Sequence, residues 1–356
     1  MTQHEMNARR LGVSRVSRMA GLSLIELMVA VALGLLILTG LVTVFVNSSA
    51  ARNEVERTSR QIENGRYAIE ILSDDLRLAG FYGELNLFSA APAIAVPTSL
   101  PDPCSTTVTD WAPALYLHIQ GYDASKGALT CMPASYKTGT DVLVVRRVQS
   151  CTAAGAAACG AAVASKPYLQ VSLCAVETPT TTHKLGLEET ETFTLKLRGT
   201  TPTSCGGTAP LRQYFVNIYF ISTDNGAGQN VPTLKRLDFT GTGWTETPLV
   251  EGIEQINIDY GIDTDGDGLP DVYTANPSDY PVGACDDACK VSNWGNVMTA
   301  RVYVLARNIE PSPGYTDTKT YQLGSASIAA PGDGYRRHVY TALVRINNPA
   351  GRRDTP

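Results

Sequence analysis

The most distinctive residues for chemistry are four aspartates that fall within nine positions of one another. They are Asp263, Asp265, Asp267 and Asp271. Carboxylates at positions one, three, five and nine of a loop, with Gly268 at position six to permit the tight turn, are typical of calcium loops. The backbone carbonyl of Leu269 would add a further oxygen at position seven. We therefore expect this loop to bind Ca²⁺ in a structural role.

The acidic loop differs from a complete EF-hand. Thr274 stands at position twelve, where an EF-hand has a bidentate glutamate. A strand pattern ends at Ile262, so a β-rich region rather than a helix pair is predicted around the loop. Asp279 or the Asp286–Asp287 pair could complete the ligand shell. An acidic hairpin turn without a cation is the alternative, because Asp-Gly pairs are common in such turns.

The N-terminus combines a basic leader with a long apolar segment. Residues 1–21 contain four arginines and one glutamate, and no charged residue occurs from Leu27 to Val46. An apolar helix of about 20 residues spans roughly 30 Å, the thickness of a bilayer core. The arginines would stay on the cytoplasmic side, which places the rest of the chain across the membrane. Glu26 lies at the start of this apolar segment, where a carboxylate is costly unless a cation pairs with it.

The stretch Gly21-Leu22-Ser23-Leu24-Ile25-Glu26-Leu27, followed by an apolar helix, resembles the class III signal of type IV prepilins. The resemblance implies that a prepilin peptidase cuts between Gly21 and Leu22 and that Leu22 becomes N-methylated. Glu26 is then the fifth mature residue and can pair with the free amine of a neighbouring subunit. A secretory signal or a plain signal anchor is the alternative, but the apolar run is long and no small-x-small cleavage site follows it.

The apolar segment continues into a charged one without a proline, so one helix is predicted from about Leu22 to Ala79. Its second half carries a narrow apolar stripe with a period of seven residues, which we expect to pack on the rest of the chain. A coiled coil is the alternative. The stripe consists of Val55, Ile62, Ile69 and Leu76, with Leu72 and Ala79 beside it.

The remainder of the chain shows strand patterns separated by loops rich in Gly, Pro, Ser and Thr. Because strands and helices do not alternate, the sheet is predicted to be mainly antiparallel. The predicted strands are Ala114–Ile119, Asp141–Val148, Tyr168–Leu173, Thr192–Leu197, Gln213–Ser222, Ile253–Ile262, Thr299–Ala306 and Val339–Ile346. The fold class is therefore α+β, with a long N-terminal helix, first membrane-spanning and then amphipathic, packed on a large β-sheet body.

All eight cysteines lie beyond residue 100, in the part of the chain predicted to be outside the cytoplasm, where disulfides form. Many pairings of eight cysteines are possible. The spacing of Cys285 and Cys289 also resembles half of a zinc site, but no second cysteine pair or nearby histidine accompanies these two residues. Proximity in the sequence suggests the pairs Cys104–Cys131, Cys151–Cys159, Cys174–Cys205 and Cys285–Cys289.

These patterns divide the chain into four segments. Residues 1–21 are the cleaved leader, 22–46 the membrane-spanning and assembly half of the helix, 47–80 its amphipathic half, and 81–356 an extracytoplasmic β-rich domain. Four arginines near the end of the chain could form a basic patch for a partner, or simply solvate a strand edge. They are Arg336, Arg337, Arg352 and Arg353.

Residues 74–83 and 333–349 resemble the corresponding stretches of PilW-type minor pilins of type IV pili. The resemblance implies a type IV pilin-like fold and a minor pilin that primes pilus assembly, lies at or near the pilus tip and supports twitching motility. The implied partners are other minor pilins, the major pilin, the prepilin peptidase, the inner-membrane assembly platform and a tip adhesin. The chain would lie in the inner membrane, with its body periplasmic, before joining the extracellular pilus.

Composition excludes several other classes of protein. The chain of 356 residues has 34 acidic and 29 basic residues, so we do not expect it to bind nucleic acid. It has four histidines and no arrangement of Ser, His and Asp that indicates catalysis, so we do not expect an enzyme. The remaining alternatives are a minor pseudopilin of a type II secretion system, and a membrane-anchored extracytoplasmic adhesin or enzyme.

Overall fold

The computed structural model describes residues 21–86, 94–123, 129–153 and 159–353. Residues 1–20 of the predicted leader lie outside these ranges. The chain divides into two compact units, Met1–Val55 and Glu56–Pro356. The first helix, α1 (Leu24–Leu78), contributes to both units and has nearly the predicted bounds.

The face that α1 buries in the second unit differs from the predicted heptad stripe. Ile62 is 44% exposed, and Ile69 is only partly buried. The buried face includes polar and small residues because the helix is fixed by specific contacts with the body. It consists of Gln61, Gly65, Ala68, Leu72, Ser73, Asp75 and Leu76. The predicted stripe is therefore wrong at Val55, which is 70% exposed, and at Ile62, and it is correct at Leu72, Leu76 and Ala79.

Three short helices and fifteen strands follow α1 in the described part of the chain. The helices are α2 (Val108–Ala114), α3 (Asp287–Gly295) and α4 (Asn347–Arg353), and a 3₁₀ turn, Pro277–Asp279, precedes α3. The strands are β1 (Ile119–Tyr122), β2 (Val142–Val148), β3 (Pro167–Val171), β4 (His183–Leu187), β5 (Lys196–Arg198), β6 (Cys205–Thr208), β7 (Leu211–Ser222), β8 (Thr233–Phe239), β9 (Trp244–Glu251), β10 (Ile253–Ile262), β11 (Val272–Thr274), β12 (Val297–Arg307), β13 (Tyr321–Leu323), β14 (Ala326–Ile328) and β15 (Arg337–Arg345).

All pairs between these strands are antiparallel, as predicted. A seven-stranded sheet has the order β1-β2-β7-β3-β4, with β8 paired to β7 and β9 paired to β8. A four-stranded sheet has the order β11-β10-β12-β15, and two hairpins, β5–β6 and β13–β14, complete the body. The main hydrophobic core contains residues of α1 together with residues of both larger sheets.

Most predicted strands are present, and Ile253–Ile262 has the observed bounds of β10. The prediction for Ala114–Ile119 is wrong, because α2 ends at Ala114 and successive turns lead to β1. In these turns the N–H groups of Leu115 and Leu117 donate to carbonyls three residues earlier. The prediction for Thr192–Leu197 is largely wrong, since β5 begins only at Lys196.

Candidate assembly signal and cation-binding loop

The predicted processing site lies in the exposed segment that precedes α1. Gly21 and Leu22 are exposed and non-helical, and Leu22 is 78% exposed. A Cβ added at Gly21 would meet no described atom within 4 Å, so the described fold does not require a glycine there. The glycine therefore has no packing role that would explain it within the described residues.

Glu26 forms a capping box with Ser23 at the start of α1. The Ser23 N–H and hydroxyl donate to Glu26 Oε2 over 2.9 and 3.0 Å, and the Glu26 N–H donates to the Ser23 hydroxyl. This reciprocal arrangement satisfies two of the unpaired N–H groups at a helix N-terminus. The sequence pattern Ser-x-x-Glu is typical of such a box, so Glu26 has a structural role in addition to the charge that its position in the apolar segment suggests.

The apolar part of α1 is exposed along its whole length. This helix is long and apolar enough to cross a membrane, and its most apolar stretch of 18 residues is not buried within the described residues. Thr39 and Thr43 donate their hydroxyls to carbonyls four residues earlier in the helix, so these polar atoms need no external partner. The segment from Leu27 to Val46 is thus an exposed helix without a charged residue, as a membrane-spanning helix requires.

Asp75 fixes the second half of α1 to the seven-stranded sheet. Its carboxylate, which is buried, forms an ion pair with Arg147 of β2. Asn217 Nδ2 and the Tyr219 hydroxyl of β7 donate to its second oxygen over 2.8 and 2.9 Å. A buried acid in a helix requires such partners. No local pattern around Asp75 predicts this role, because its three partners lie on strands far away in the sequence.

The acidic loop connects β10 to β11 and brings three of its four aspartates together. Oxygens of Asp263, Asp265 and Asp267 lie within 4.8 Å of one another. Asp263 is fully buried, and its two oxygens accept the N–H groups of Gly266 and Gly268 over 2.6 and 3.0 Å. Both glycines have a positive φ, which permits this tight wrapping around the first carboxylate. The donor set is therefore one that suits a hard cation.

The other predicted ligands have different surroundings. Asp271 lies outside the three-carboxylate group, and its Oδ2 accepts the N–H and hydroxyl of Thr264, each over 2.7 Å. The Leu269 N–H donates to Asp267. The three residues considered to complete the shell also have other partners. Asp279 accepts a hydrogen bond from Asn276, Asp286 caps α3, and Asp287 pairs with Lys290.

One cationic side chain, Arg353 of α4, reaches the acidic loop. Arg353 Nη1 of α4 donates to Asp263 Oδ2 over 2.7 Å, and its Nη2 donates to Asn296. Burial raises the pKa of Asp263, but the hydrogen bonds from Arg353, Gly266 and Gly268 outweigh burial and lower that pKa. Asp263 is therefore held as a carboxylate, the form that a cation requires.

The four arginines near the C-terminus do not form one basic patch. Arg337 is buried and donates to Asp317 over 2.9 Å and to Asp333 over 2.7 Å, and it forms an ion pair with Glu254 of β10. Arg336 instead stacks on the ring of Tyr315. Arg353 pairs with Asp263, so three of the four arginines have partners in different places.

The eight cysteines are joined in four disulfides, with Cα–Cα distances from 5.1 to 5.9 Å. They are the pairs that proximity suggests: Cys104–Cys131, Cys151–Cys159, Cys174–Cys205 and Cys285–Cys289. Cys289 follows the cap of α3, so the last disulfide ties the loop after the 3₁₀ turn to this helix. All four lie in the second unit, which fits an oxidising compartment.

Part of the second unit matches a known protein family. Residues 218–348 match the family model described as Type IV Pilus-assembly protein W. No curated protein matches the chain. A type IV-like pilin from Thermus thermophilus is a matching solved structure, with 14% identity, 61% of this chain and 80% of that chain covered, and a TM-score of 0.24. The family match includes the acidic loop and β15, and it confirms that this chain is similar, over residues 218–348, to the PilW family of pilus-assembly proteins.

Proposed function

We propose that this chain is a minor pilin that helps to prime type IV pilus assembly and is incorporated at or near the pilus tip. One combination of features carries the proposal. An exposed apolar helix that begins with a prepilin-like signal precedes a body that matches a pilus-assembly family over residues 218–348. Other membrane-anchored proteins have an apolar helix, but they have no need of Gly21, Leu22 and Glu26 at this spacing.

Cleavage after Gly21 would supply the cation that Glu26 lacks. Removal of the leader creates a free amine at Leu22, and the Glu26 carboxylate of an adjacent subunit can pair with such an amine. The capping box supports this step, because Ser23 already holds Glu26 at the helix N-terminus. Two groups of opposite charge would then be buried together in the assembled pilus, which costs far less than burying either alone.

The size of the body favours a place at the tip. Residues 81–356 form a bulky domain for a subunit that repeats along a shaft, whereas a cap or an initiation complex can hold one such domain. The role is therefore one of assembly, with other minor pilins, the major pilin and the inner-membrane platform as partners and without catalysis. Before assembly the N-terminus would be cytoplasmic and the body periplasmic.

Deletion of the gene in its own cell tests this function. We expect loss of surface pili and of twitching motility, with both restored by the full-length chain. Secretion of exoproteins should be unchanged. Loss of exoprotein secretion with normal pili would contradict the proposal and favour a minor pseudopilin of a type II secretion system. Normal pili and normal secretion would favour a membrane-anchored adhesin or enzyme.

We also propose that the acidic loop binds Ca²⁺ and that the cation fixes the connection between β10 and β11. The ligands would be the carboxylates of Asp263, Asp265, Asp267 and Asp271 and the backbone carbonyl of Leu269. Three of these carboxylates already lie close together, where their mutual repulsion favours a cation. We expect EGTA to lower the unfolding temperature and protease resistance of the full chain in detergent, and re-addition of Ca²⁺ to restore both. Unchanged values after chelation would contradict the site.

A further inference from the structure

The last strand of the four-stranded sheet has one side that no other strand covers. Strand β15 pairs with β12 over nine consecutive residue pairs without a register shift. It ends the sheet order β11-β10-β12-β15, so in the described part of the chain its other side faces no strand. The exposure of β15 agrees with this edge position, because its Leu343 is 59% exposed whereas most residues of β12 are buried.

The hydrogen bonds at the two ends of β15 show which residues point to the open side. Met298 accepts the N–H of Ile346 over 2.8 Å, and Asn308 donates its N–H to the carbonyl of Arg336 over 3.0 Å. In an antiparallel pair, residues that bond with the partner alternate with residues that point away. The even-numbered residues therefore bond with β12. The N–H and C=O groups of Val339, Thr341 and Leu343 point to the open side.

The other edge strands are protected against pairing. Strand β9 contains Pro248, beside a register shift in its pairing with β8. Strands β1, β4 and β11 have four, five and three residues. Proline, irregular pairing, short length and charged side chains are the usual devices that prevent a sheet edge from accepting another strand. Within its nine residues strand β15 has no proline and pairs regularly, and its two arginines, Arg337 and Arg345, stand at its ends.

The surroundings of β15 indicate what kind of strand would fit. On one face, the ring of Tyr340 packs against Gly65 of α1, and the charge of Arg66 is close to this tyrosine. On the opposite face, Leu343 lies across from Arg301 in the register. An added strand would therefore meet apolar and basic side chains on both faces.

We propose that an extended segment of another pilus subunit pairs with the open side of β15 and adds a fifth strand to this sheet. The segment lacks proline and carries apolar and acidic side chains on both faces, which suit Tyr340 and Arg66 on one side and Leu343 and Arg301 on the other. Main-chain hydrogen bonds supply the affinity and the alternating side chains supply the specificity, as in strand addition generally. This inference rests on the proposed function, because it takes its partner from the pilus.

Residue-resolved hydrogen exchange of the full-length chain tests the proposal. The chain is purified in detergent, alone and in complex with the pilins that are co-produced in its own cell. In the chain alone, the amides of Val339, Thr341 and Leu343 should exchange rapidly, and those of Tyr340 and Ala342 slowly. In the complex, exchange of the first three should slow by about tenfold or more.

Two substitutions at one position provide a matched control. Thr341→Pro removes an outward N–H and no hydrogen bond to β12, so it should reduce the recovery of co-produced pilins by about tenfold. Thr341→Val retains the N–H and should recover them as the wild type does. Both variants should unfold at the wild-type temperature, which shows that each is folded.

Three results would overturn the inference. The first is rapid exchange of the three amides in the complex, and the second is normal recovery of pilins by Thr341→Pro. The third is protection that rises with the concentration of the chain alone, which would identify a second copy as the occupant. Each of these leaves the proposed function intact. A wild-type chain that recovers no pilins contradicts the proposed function, and with it the inference.

Discussion

Arg353, in the last helix of the chain, donates a 2.7 Å hydrogen bond to the buried carboxylate of Asp263, the first residue of the acidic loop. The same helix reaches the end of α1, because Asn348 Nδ2 donates to the carbonyl of Ala79 over 3.1 Å. Pro349 lies beside Gly80, directly after α1. A seven-residue helix thus connects the proposed cation loop with the C-terminal end of the long helix.

Arg353→Gln should increase the affinity of the loop for Ca²⁺. The Arg353 guanidinium forms an ion pair with Asp263 and would repel a Ca²⁺ ion bound in the loop. A glutamine amide can still donate a hydrogen bond to Asp263 but carries no charge. We expect affinity to rise by about tenfold, measured by calorimetric titration of the full chain in detergent. Arg353→Lys keeps the charge and serves as the control. Equal affinity of Arg353→Gln and wild type would show that the loop and Arg353 do not share Asp263.

Asp75→Asn should strongly destabilise the second unit. Its carboxylate accepts from Arg147, Asn217 and Tyr219, and an amide would turn an N–H toward at least one of these donors. We expect a loss of about 3 kcal/mol in the free energy of unfolding, measured by urea titration. Asp74→Asn is the matched control, because Asp74 forms an exposed pair with Arg77 and should cost under about 1 kcal/mol. Equal effects of the two variants would contradict this anchor.

The buried ion pairs of Arg337 predict loss of stability in acid. Burial raises the pKa of Asp317, but hydrogen bonds from Arg337 and Tyr321 outweigh burial and hold that pKa below its ordinary value. The contribution of Asp317 is therefore complete above about pH 4, the unfolded pKa, and is lost as the pH falls through the lowered pKa. We expect the unfolding temperature of the full chain to fall steeply between about pH 4 and pH 2.

Replacing Arg337 with an uncharged residue checks that this acid sensitivity arises from its ion pairs. Arg337→Met leaves Asp317 buried without its ion pair, so it should destabilise the chain by about 3–5 kcal/mol at pH 7. The decline in unfolding temperature between pH 4 and pH 2 should also become shallower. A wild-type temperature that is constant over this interval, or a variant with the same decline, would assign the acid sensitivity to other groups.

Gly65→Ala should destabilise the chain although alanine favours helices. A Cβ at this position would lie 2.1 Å from the Tyr340 ring, so the ring or the helix must move. We expect a loss of about 1–3 kcal/mol in a thermal unfolding measurement. At Gly351 of α4 an added Cβ meets nothing within 4 Å, so Gly351→Ala should be neutral or stabilising. A stabilising Gly65→Ala would contradict the packing of α1 on Tyr340.

The sequence predicts the parts of this fold that follow simple periods. The bounds of α1 and β10 are close to the prediction because an uninterrupted apolar run and strict alternation each allow one interpretation. The hairpin of β8 and β9 was missed because its pattern is obscured by a charge. Lys235 is buried in β8, where it pairs with Asp224 and Glu246 over 2.9 Å each. Each partner is 11 positions away and outside β8, so the periodicity of this strand does not reveal the pairing.

The candidate sites show the same division. The acidic loop and the proposed processing signal are local motifs, so both can be proposed from the sequence alone. The contact of Arg353 with Asp263 joins residues 90 positions apart, and that of Asp75 with Asn217 joins residues 142 positions apart. The buried face of α1 also depends on contacts between residues far apart in the sequence. The buried Gln61, for example, donates hydrogen bonds to the carbonyls of Ala306 and Arg336.

The mature N-terminus tests the central claim most directly. Mass spectrometry of the chain isolated from its own cell should find a protein that begins at Leu22, with one methyl group on its amine. A Gly21→Val variant, which leaves the described fold unchanged at an exposed position, should retain residues 1–21. An intact leader on the wild-type chain, or cleavage beyond Val46, would contradict the assignment of this protein to the pilins.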